Sequence, residues 1–80
     1  MINFIYTENT EELLKAVGIE KELFWQYLSL DDWDYALIFE GHIPQMKLNN
    51  EFSRLLDGCY NNEWAYFPKQ NKTVGMAYHS

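Results

Sequence analysis

Eighty residues, with six Lys or Arg against twelve Asp or Glu, make a short acidic chain of net charge −6. Two domains would need roughly 100 residues each, so one domain over residues 1–80 is expected. An acidic field repels phosphate, which argues against direct nucleic-acid binding, and an aromatic content of 18% argues against disorder.

The single cysteine, Cys59, excludes an internal disulfide. Small secreted domains usually depend on several, so a reducing cytoplasm is expected. The start, Met1 to Tyr6, lacks the basic region and long apolar run of a signal peptide. No stretch approaches the roughly 20 apolar residues of a membrane helix, and no membrane association is expected.

In chain order, Ile2 to Tyr6 is rich in β-formers and reads as a strand over 2–6. Thr10, acting as a cap and followed by Glu11 and Glu12, opens a helix over 10–17 that Gly18 ends. A second helix is expected over 20–28. Its core face would carry Ile19, Leu23, Phe24, Tyr27 and Leu28, and Trp25 would point away.

The segment from Ser29 to Gly41 admits two readings. Ser29 and the three aspartates could cap a helix, whereas Tyr35 to Phe39 is a short apolar run suited to a strand buried on both faces. The strand over 35–39 is preferred. Pro44 then makes a loop or an edge strand, and Asn49 or Asn50 caps a helix over 50–57 carrying Phe52, Leu55 and Leu56, with Asp57-Gly58 closing it. A β-hairpin over about 63–79 ends the chain. Its runs Trp64 to Phe67 and Thr73 to Tyr78 flank the polar turn Lys69 to Lys72, and Gly75 suggests a bulge. The fold class is therefore α+β, with a small antiparallel sheet and two or three short helices.

Chemistry is sparse. Gly18, Gly41, Gly58 and Gly75 are scattered, so no phosphate loop forms and no cofactor is expected. His42, Cys59 and His79 lack the close-paired spacing of a metal site, and Asp31, Asp32 and Asp34 lack the central glycine and closing glutamate of a calcium loop. Cys59 with a histidine, or some carboxylate pair, is the only enzymatic alternative. The chain reads as a non-enzyme.

Residues 1–40 hold nine acids against Lys15 and Lys21, net −7, whereas residues 41–80 hold three acids against four cations, net +1. Among the acids of the first half stand two tryptophans, the residue type most enriched in interface anchors. The candidate partner-binding residues are therefore Trp25, Trp33, Asp31, Asp32, Asp34, Glu8, Glu11, Glu12 and Glu22. For Trp33 alone, a core position is the competing reading. The expected function is an inhibitor or neutraliser that occupies a basic, nucleic-acid-facing surface of another protein. Immunity proteins, antitoxins and phage anti-defence (anti-CRISPR-like) proteins share that size and charge, an analogy of class only. The alternatives are an assembly or adaptor subunit, a homodimer included, and the small thiol or carboxylate enzyme.

Overall fold

A computed structural model describes residues 4–28, 33–56 and 59–79. Seven elements follow one another: β1 (Phe4–Thr7), α1 (Thr10–Val17), α2 (Lys21–Phe24), β2 (Tyr35–Glu40), α3 (Gln45–Leu55), β3 (Cys59–Phe67) and β4 (Lys72–His79). The strands form one antiparallel sheet in the order β1-β2-β4-β3. This is the expected α+β arrangement.

Side chains alternate across a strand, and in the central strand β2 both sets are apolar. Ala36 and Ile38 join Val74, Met76 and Phe67 beneath Leu13 and Val17 of α1, Phe24 of α2, and Leu28. Leu37 and Phe39 join Ala77 and Ile43 beneath Leu48 and Phe52 of α3. The sheet is thus covered on both faces, which is why Ala36 to Phe39 form an unbroken buried run.

α1 has the expected boundaries, but its cap is Asn9 rather than Thr10. The Asn9 side chain accepts from the Glu12 amide at 3.1 Å. Gly18 closes the helix at φ 82°, a left-handed conformation that glycine adopts without strain.

α3 begins at Gln45, five residues before the expected helix over 50–57, with Pro44 as its N-cap. Proline lacks only a backbone donor that the first turn does not need, so it starts this helix instead of forming a loop or edge strand. Asn49 and Asn50 lie inside the helix on its exposed side, while Leu48, Phe52 and Leu55 repeat at helical spacing toward the sheet. Asp57 and Gly58 lie outside the described residues.

The hairpin is longer than expected, because β3 already starts at Cys59. Its bulge lies between Asn61 and Glu63 of β3, not at Gly75 of β4. The turn is held by Asn71, in a left-handed conformation at φ 54°. Its side chain accepts from the Tyr66 hydroxyl at 2.7 Å and its carbonyl from the Gly41 amide at 2.7 Å.

Candidate interaction surface

α2 sits where α1 ends, and its geometry decides what the second half of the α1/α2 layer presents. Regular α-helix stops at Phe24. Gln26 then donates to the Leu23 carbonyl at 3.2 Å and Tyr27 to that of Phe24 at 3.0 Å, the tighter i to i+3 pattern. Leu28 also donates to the Phe24 carbonyl, at 3.1 Å, so the four-residue helical spacing of Phe24 and Leu28 is kept. The buried stripe of this segment is therefore narrow, with Phe24 and Leu28 in it and Leu23 and Tyr27 beside it.

Phe24 and Leu28 enter the core, and Ile19 packs beside them. Phe24 stacks on Phe67, with ring centroids 5.3 Å apart. Trp25 faces solvent as expected, but Leu23 and Tyr27 do not belong to a core face: their exposures are 41% and 51%, against 49% for Trp25. The Tyr27 ring meets the edge of Phe67 at 5.0 Å.

Ile19, Leu23 and Tyr27 border an open groove of about 230 Å³ whose other wall is Phe67 to Gln70; Trp25 is not among its lining residues. Lys21 places its ammonium 4.4 Å from the centre of the Trp25 ring, a cation–π contact that holds the indole against the helix. Glu20 and Glu22 flank that lysine, are exposed, and make no ion pair among the described residues.

The other expected site residues are distributed differently. Glu8, Glu11 and Glu12 cluster around the start of α1, an eight-residue helix about 12 Å long that separates them from α2. The Glu12 carboxylate accepts from the buried Thr7 hydroxyl at 2.9 Å and Glu8 accepts from the Tyr6 hydroxyl, so both also serve local structure. Trp33 is half-buried against the core under α1 and α2, the competing core position. Asp34 is exposed, and its backbone amide donates to Ala77. Asp31 and Asp32 lie outside the described residues, as do the side chains of Cys59 and His79.

Leu23 and Tyr27 are the surface residues that periodicity misassigned, and the groove depends on the approach of the hairpin turn. Among the described residues no three His, Cys, Asp or Glu side chains come together as a metal site, and no helix is long and apolar enough to cross a membrane. Comparison with known proteins finds no matching protein-family model, curated protein or solved structure.

Proposed function

We propose that this chain is a non-catalytic protein-binding domain of the inhibitor or neutraliser type, which uses the α2 segment to occupy a basic surface of another protein. The observation that carries this reading is the exposure of Leu23, Trp25 and Tyr27 within five residues, the first and last of them lining a groove, next to Glu20 and Glu22, which make no ion pair among the described residues. Large apolar side chains surrounded by polar residues have the anchor-and-rim composition of an interface.

Charge favours a basic partner. Residues 8–28 carry Glu8, Glu11, Glu12, Glu20 and Glu22 against Lys15 and Lys21, net −3. A cationic surface would be steered toward this layer, after which the aromatic residues supply most of the binding energy. A surface that holds nucleic acid carries such charge, which is why neutralisation is the preferred activity.

The test uses two baits in extracts of the source organism: the unaltered chain and a folded Trp25→Ala variant. The reading expects a basic protein retained by the first and depleted with the second. Equal retention by both baits would move the interface off α2, and retention of acidic proteins alone would reject the charge argument.

A further inference from the structure

The two edges of the sheet are not alike. β3, one edge, carries a bulge between Asn61 and Glu63, an acidic residue within the strand, and Pro68 directly after it. Bulges, charges and proline are among the devices that keep an edge from pairing with another strand, as is a very short strand. β1, the opposite edge, is short and reads Phe-Ile-Tyr-Thr over its described length, with no bulge, charge or proline. Its first three side chains are exposed by 39%, 50% and 40%.

Those side chains do not share a face. Phe4 and Tyr6 lie on the α3 side, where Phe4 meets Phe39 at 6.1 Å and Tyr6 stacks on Tyr35 at 5.8 Å. Ile5 points to the other side, against Ile38 and Glu40. A partner lying flat on the sheet could cover one set only. A strand added alongside β1 covers both, because its own side chains alternate in the same way.

We infer that the strand which adds to β1 is β1 of a second copy, so that two sheets join into one eight-stranded antiparallel sheet. Antiparallel self-pairing of an edge requires a two-fold axis perpendicular to the sheet, and opposite residues must then lie on the same face. With the axis at Ile5, each Ile5 faces its counterpart. Phe4 faces the second copy's Tyr6 and Tyr6 its Phe4, extending the aromatic rows that Phe39 and Tyr35 already begin. Tyr6 keeps its stacking and its hydrogen bond to Glu8.

Charge permits the pairing. No charged residue lies within β1, and the Ile5 axis leaves the two Glu8 residues six strand positions apart, about 20 Å. That is more than twice the screening length in physiological salt of about 8 Å. So short a strand gives an interface at the low end of size, and a concentration-dependent dimer is expected. The α2 surface lies toward the β3 edge, through Phe67, and is left free on both copies.

Sedimentation of the full chain over a concentration series tests the association, and cysteine cross-linking tests the register. The dimer should dissociate on dilution, and Ile5→Lys should weaken it at least about tenfold, because an edge lysine blocks strand pairing. In a Cys59→Ala background, Ile5→Cys should give a disulfide-linked dimer much faster than Phe4→Cys or Tyr6→Cys, since only residue 5 faces itself. A chain that stays monomeric at the highest soluble concentration overturns the inference. So does a dimer that Ile5→Lys leaves intact, or cross-linking equal at all three positions. None of these results bears on the α2 interface, which the Trp25→Ala bait tests separately.

Discussion

The Phe52 ring lies directly over Gly75. A Cβ at residue 75 would stand 2.7 Å from Phe52 Cε2 and 3.0 Å from the Asn61 side-chain oxygen. Glycine in a strand normally weakens it, but here the missing side chain lets α3 settle onto β4 with Phe52 fully buried.

Gly75→Ala should therefore destabilise the fold by about 2 kcal/mol, the usual scale for overpacking a filled core. Phe52→Leu alone leaves a cavity, but combined with Gly75→Ala it should cost clearly less than the sum of the two, because the smaller side chain frees room for the methyl group. Denaturant unfolding of the two single variants and the double variant measures the coupling. Additive costs would mean that the two residues do not compete for the same space.

Thr73 is the buried polar link between the β2–α3 connection and β4. Its hydroxyl accepts from the Ile43 amide at 3.0 Å and donates to the Gly41 carbonyl at 2.6 Å, with the threonine fully buried. Thr73→Val keeps the shape but strands both backbone groups, and should cost about 2 kcal/mol or more. Thr73→Ser, which retains the hydroxyl, should cost less. Hydrogen exchange at the Ile43 amide should accelerate in the valine variant and stay close to normal in the serine variant.

Asn61 is the opposite case. Both polar atoms of its side-chain amide are buried without a hydrogen-bond partner among the described residues. Replacing it with the similarly branched Leu removes two unsatisfied groups beside Phe52, so Asn61→Leu should stabilise the fold by up to about 1 kcal/mol. A marked loss in thermal melting would show that the amide is paired in solution.

These positions mark where sequence reasoning reached and where it stopped. Tyr35 to Phe39 was legible as a doubly covered strand, preferred over a helix capped by Ser29, because so short an apolar run suits a strand with both faces covered. α1 was legible to the residue at both ends, apart from the identity of its cap, since Asn9 and Thr10 are both competent capping types. The start of α3 was hidden by Pro44 and the Asn49-Asn50 pair, which carry turn preference that the packing of Leu48 and Phe52 overrides. Gly75 was read as a bulge because a missing side chain looks the same in sequence whether it relieves a backbone or a neighbouring ring. At the candidate site, Trp25 was correctly assigned to the surface, but Leu23 and Tyr27 were not. Helical spacing sets Leu23 and Tyr27 beside Phe24 and Leu28, but it does not say how wide a stripe the rest of the fold covers.

The exposure of Trp25 leads to the sharpest functional prediction. Its indole is held by Lys21 and packs into neither core cluster, so Trp25→Ala should lose little more than an exposed cation–π contact, about 1 kcal/mol or less in stability. Partner affinity should fall by about 2 kcal/mol or more, through faster dissociation, as for an interface anchor. Reversing the rim acids, with Glu20→Lys and Glu22→Lys together, should act on the other rate: association should slow and lose much of its salt dependence, while dissociation changes little. Stopped-flow binding at low and physiological ionic strength separates the two effects. If Trp25→Ala slows association and leaves dissociation untouched, the tryptophan belongs to the approach rather than to the contact. If neither variant changes either rate, α2 is not the interface.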